Sequence, residues 1–143
     1  MNKIEFFRAI RREVGRFEAL IETGMPMVVF SEDKSMKLIL AYWHPAKDWC
    51  CTEIYTGLLL ASGKTKAELF ERIAQAVGRI FEIKRAGALD SYDQVHQLVA
   101  DAYKQLDEAR PSGLFGRHSL SQELIEYITA PTFKEAISNG KEE

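Results

Sequence analysis

The sequence predicts an α+β fold: a three-stranded antiparallel sheet covered by two helices in the order α-β-β-β-α, followed by a helical C-terminal region. Three observations lead there. Residues 54–60 are β-branched, aromatic and apolar, and they stop at Ser62-Gly63-Lys64, as a strand running into a turn would. Thr65 then stands three residues before Glu68, the spacing at which a hydroxyl and a carboxylate cap a helix start. From Leu69 through Ile73, Ala76, Ile80 and Ile83, apolar residues recur every three or four positions. A helix should therefore run to about Arg85, with Gly87 as its left-handed end.

The other elements follow in chain order. Ile4, Phe7, Ile10, Val14, Phe17 and Ile21 are spaced three or four apart and predict an opening amphipathic helix ending near Thr23-Gly24. On such a helix Arg8, Arg12 and Arg16 form a second stripe with Arg11 beside it. Residues 27–30 read as a short strand, 31–35 as a turn and 36–43 as a second strand; residues 45–48 turn the chain toward Trp49 and a third strand. Ser91 with Gln94 caps a third helix, whose seam of Tyr92, Val95, Val99, Ala102, Leu106 and Ala109 ends at Pro111 and suits a homodimer. A loop over residues 111–118 carries Leu114-Phe115 between glycines. Ser119 with Gln122 opens a fourth helix through about Thr129, and Thr132 with Glu135 a short fifth. The whole is one domain: residues 1–87 as the core, 88–139 as the helical region and 140–143 as a frayed tail.

Composition bounds the function. With 143 residues, 46% apolar and 28% charged, the chain can bury a core. No apolar run approaches the roughly 20 residues of a bilayer span, and no secretory segment precedes Arg8, so the expected location is cytoplasmic. The adjacent Cys50 and Cys51 point to opposite faces of a strand and cannot form an ordinary disulfide, which suits a reducing compartment. Net charge is −2, yet residues 1–87 carry 14 basic against 11 acidic residues and residues 88–143 carry 5 against 10. An acidic partner would thus meet the N-terminal part.

Tests of individual motifs yield little catalysis. Gly63-Lys64-Thr65 between strand and helix invites a phosphate-loop reading, but that loop needs a glycine at position 58, which is Leu58. His44 with Cys50 or Cys51 could form a nucleophile–base pair, although neither these residues nor Asp48 match a metal-ligand spacing. No cofactor or metal is expected. Tyr42, Trp43 and Trp49 concentrate aromatic surface near one end of the hairpin, where partly buried rings favour partner binding.

The order helix, three strands, helix over residues 3–86, with Lys64 and Lys66 at the second helix start, resembles the double-stranded-RNA-binding domain. The resemblance implies phosphate contacts from Lys64 and Lys66, with Arg8, Arg12 and Arg16 of the first helix added. The chain lacks that family's dense lysine cluster and continues for further helices. The leading expectation is instead a non-enzymatic interaction protein that binds and regulates or inhibits a larger macromolecule, as small phage or plasmid inhibitors do. Its candidate contacts are Tyr42, Trp43, Trp49, Leu114, Phe115, Arg8, Arg11, Arg12 and Arg16. Nucleic-acid binding and a small enzyme using His44 with Cys50 or Cys51 are the alternatives.

Overall fold

The computed structural model describes residues 3–109 and 120–139. Its sheet has five strands, not three: β1 (Ile4–Glu13), β2 (Arg16–Phe30), β3 (Lys37–Trp43), β4 (Trp49–Glu53) and β5 (Leu59–Gly63). They are antiparallel and lie in chain order. Four helices follow: α1 (Lys66–Ala86), α2 (Tyr92–Ala109), α3 (Ser121–Thr129) and α4 (Phe133–Ala136).

The expected N-terminal helix is a β-hairpin. Its apolar residues fit both periods, since Ile4, Phe6 and Ile10 also alternate, and long-range pairing decides between them. Val14-Gly15 makes a tight reversal, with Glu13 opposite Arg16 and Gly15 at φ 77°, a conformation that glycine adopts without steric cost. Arg8 pairs across the hairpin with Glu22, and Arg12 with Glu18. β2 then continues beyond its partner: pairing to β1 ends at Gly24 and pairing to β3 begins at Met25.

The expected third strand also divides. β4 ends at Glu53, residues 54–57 form a buried reversal, and β5 returns alongside β4. Gly57 makes the reversal possible. It has φ +73°, and a Cβ there would lie 2.8 Å from Val99 Cγ2 and 2.9 Å from the Ala9 nitrogen. The Gly57 carbonyl accepts from Ala9 N–H at 2.7 Å, which ties the first hairpin to this reversal.

The Thr65 cap and the Gly87 end of α1 are as the sequence anticipates, while the Glu68 carboxylate reaches one residue further back than the Thr65 N–H expected of a capping box. Thr65 accepts from Glu68 N–H at 3.1 Å, and the Glu68 carboxylate accepts from Lys64 N–H at 3.0 Å. Gly87 closes the helix in the left-handed conformation. α1 packs on β4 and β5, and α2 packs on β1 and β2. There Tyr103 meets Phe7 edge-on and its hydroxyl accepts from Phe7 N–H at 3.0 Å. Lys37 N–H donates to Ile137 O at 2.7 Å, fastening the C-terminal turn beside β3. Among the described residues, no helix is long and apolar enough to cross a membrane.

Glu53 is buried at the junction of these parts. Its carboxylate accepts from Tyr55 N–H at 2.6 Å, Thr56 N–H at 2.8 Å, Thr56 Oγ1 at 2.7 Å and the Tyr127 hydroxyl at 2.6 Å. Burial pushes its pKa up, while these bonds pull it back. His96 stacks on Tyr55 with ring centroids 3.5 Å apart, and its Nδ1 lies 2.7 Å from the Tyr55 carbonyl oxygen. Tyr127→Phe removes one of four donors from a buried acid and is expected to lower the unfolding free energy by about 1.5–3 kcal/mol in chemical denaturation. Glu53→Gln, which turns an amide toward two donors, should cost at least as much. Parent-like stability of both variants would show that Glu53 does not hold this junction.

Candidate functional site

Strand alternation at the end of β3 sends Tyr42 and Trp43 to opposite faces of the sheet. On the Tyr42 face, Trp49 at the start of β4 lies 6.4 Å away between ring centroids, and Phe70 of α1 meets Tyr42 edge-on at 5.2 Å. The Lys66 ammonium lies over all three rings, 5.4 Å from Tyr42, 5.7 Å from Trp49 and 5.8 Å from Phe70. These distances fall within cation–π range. His44 stacks on Trp49 at 4.6 Å with an interplanar angle of 11°. Tyr42 and Trp49 are half-buried, and Phe70 keeps 39% of its surface exposed.

Trp43 has a different role. It is buried against Phe6, whose ring meets it at 5.2 Å, and Arg8 covers its ring at 5.8 Å. Its indole Nε1 is buried with no hydrogen-bond partner among the described residues. The anticipated three-residue patch is thus a two-residue one, completed by Phe70 and Lys66. Phe70 went unassigned in the sequence because it reads as part of the α1 core stripe. A signal was present: Lys66 and Phe70 are four apart in the first turns of a capped helix and therefore share a side.

A cavity of about 280 Å³ opens beside this cluster. It is lined by Thr23, Gly24 and Met25, at the switch of β2 from one partner strand to the next, by residues 42–44 and Trp49 at the ends of β3 and β4, and by Lys3 and Lys66. Among the described residues, no acidic side chain lines it.

The arginines are arranged otherwise than on a helix. Arg8 and Arg12 share one hairpin face and are engaged by Glu22 and Glu18, the latter at 2.6 Å, while Arg16 lies 3.8 Å from Glu13. Arg11 pairs in register with Phe17, and Arg12 stands outside the register at the irregularity between Arg11 and Glu13. A carboxylate beside each of three guanidiniums lowers the local positive potential that phosphates would require. With a hairpin in place of the first helix, the element order shared with the double-stranded-RNA-binding domain is also lost. Lys64 and Lys66 stand exposed at the start of α1. Leu114 and Phe115 lie outside the described residues.

The thiols are held away from the reactive form. Cys51 is buried opposite Tyr42, and burial, with the Glu53 charge next, pushes its pKa far up; Cys50 is half-buried and raised by burial and then by Asp48. His44 Nε2 lies 3.2 Å from the Lys47 carbonyl oxygen, and its ring faces Trp49. Among the described residues no group of three or more His, Cys, Asp or Glu side chains could hold a metal ion. A disulfide reagent at neutral pH should label Cys50 slowly in the folded chain and Cys51 only after unfolding. Rapid labelling of both thiols under native conditions would contradict this arrangement.

Neither a protein-family model, nor a curated protein, nor a solved structure matches the chain significantly.

Proposed function

We propose that this chain is a non-enzymatic interaction protein that binds a larger protein and thereby regulates or inhibits it, using the Tyr42–Trp49–Phe70–Lys66 end of the sheet. The observation that carries the reading is the lysine ammonium held over three partly exposed rings beside an open cavity. Rings in this state still have apolar surface to remove from water, and aromatic residues of this kind dominate the energetics of protein interfaces. Sheet and helix together hold them in place, so little side-chain freedom is lost on binding. The ion-paired hairpin favours a protein over a polyanion, because three of its four guanidiniums, those of Arg8, Arg12 and Arg16, already have carboxylate partners. The unbridged cysteines fit a cytoplasmic setting.

Affinity capture on the tagged chain, with and without nuclease, tests the reading. A protein partner should survive nuclease treatment and should be weakened at least about 30-fold by Trp49→Ala, the effect of losing one interface hot spot of about 2 kcal/mol. Retention abolished by nuclease, and weakened by removing Lys64 and Arg12 rather than Trp49, would replace it with nucleic-acid binding.

A further inference from the structure

We infer that the cavity beside Trp49 is a carboxylate-recognition pocket, taking a single carboxylate carried next to an apolar group on the partner protein. The inference rests on the interaction reading above and adds the chemistry of what is recognised. The charged side chains lining the cavity are Lys3 and Lys66, with the ionisable His44 beside them. Neither lysine has an ion-pair partner among the described residues. Glu68, the acid nearest to Lys66 in the helix, is turned to other work: its carboxylate bonds Lys64 N–H and pairs with Arg72 at 3.5 Å. Among the described residues, an incoming anion therefore meets two lysines and no acidic side chain in the lining.

The walls specify the rest of the ligand. Tyr42, Trp49 and the Met25 side of the lining supply apolar wall surface for an aliphatic or aromatic group while its carboxylate reaches the ammonium groups. At about 280 Å³ the cavity is at the lower end of ligand-site sizes, enough for one side chain or chain terminus rather than an extended ligand. Lysines supply point charges on flexible stems, and among the described residues no arginine lines the cavity to offer the fork that grips phosphate in two places. The carboxylate can come from an acidic side chain or from a C-terminus, and both present the same group.

Titration of the ¹⁵N-labelled chain, followed by NMR, tests the assignment with 3-phenylpropionate, its neutral amide and phenyl phosphate. The carboxylate should shift the Trp49 indole and Lys66 amide signals saturably, the amide should bind at least tenfold more weakly, and Lys66→Gln should weaken the carboxylate at least tenfold with the remaining spectrum unchanged. Two tetrapeptides, one with an internal Glu and a capped end and one with a free C-terminal Phe, then separate the two sources. Equal binding of amide and carboxylate, tenfold tighter binding of phenyl phosphate, or indifference to Lys66→Gln would overturn the assignment. A partner captured through Trp49 while no probe binds removes this inference alone; saturable probe binding with no captured partner removes the interaction reading alone.

Discussion

Glu53 needs four hydrogen bonds to stay buried, and the parts that supply them include those that complete the fold. An uncompensated carboxylate in the interior would cost several kcal/mol. Three of its donors come from Tyr55 and Thr56 in the reversal after β4 and the fourth from Tyr127 of α3. Satisfying the acid therefore fixes the reversal and docks the C-terminal helices on it. The fixed reversal sends β5 back beside β4, which sets Gly63 opposite Trp49 and starts α1 at the sheet end. The same reversal receives the N-terminal hairpin through the Gly57 carbonyl. The position of Lys66 over the aromatic rings is thus a distant consequence of one buried acid.

Alternation along β3 then separates two uses of aromatic surface that are adjacent in sequence. Trp43, with Phe6 and Arg8, closes the face on which the hairpin meets the rest of the sheet. Tyr42, with Trp49 and Phe70, remains accessible beneath α1. The hairpin itself carries opposite charges across its strands, and its tip stands in solvent, with Val14 92% exposed. Exposed ion pairs of this kind add little stability, but they do reduce the net field of a segment rich in arginine.

How much of this was legible depended on whether local signals agreed. In α1, capping residues, apolar spacing and a terminal glycine all pointed to one helix, and its observed bounds follow them. The bounds of α2 and the turn at residues 31–35 were readable for the same reason; in that turn Asp33 accepts from Ser35 N–H at 3.0 Å. Residues 4–21 were ambiguous, because Ile4, Phe6, Phe7 and Ile10 satisfy a helical and an alternating period at once. The glutamates at 18 and 22, complementary to Arg12 and Arg8, had meaning only across a hairpin. Residues 54–60 look like one strand because β-branched, aromatic and apolar residues flank Gly57 on both sides, while the reversal rests on its positive φ, which the composition does not show. At the site, Tyr42 and Trp49 read as one aromatic patch with Trp43, and Lys66 as a phosphate contact; only the return of the chain through β5 into α1 brings Lys66 to the rings.

The most direct test of the proposed surface is hydrogen–deuterium exchange of the chain alone and in complex with its captured protein partner. Protection confined to residues 42–49 and 63–70, with residues 11–18 exchanging as in the free chain, is the result expected if the sheet end is the contact surface. Protection centred on residues 11–18, with residues 42–49 and 63–70 unchanged, would place the contact on the hairpin and contradict the account.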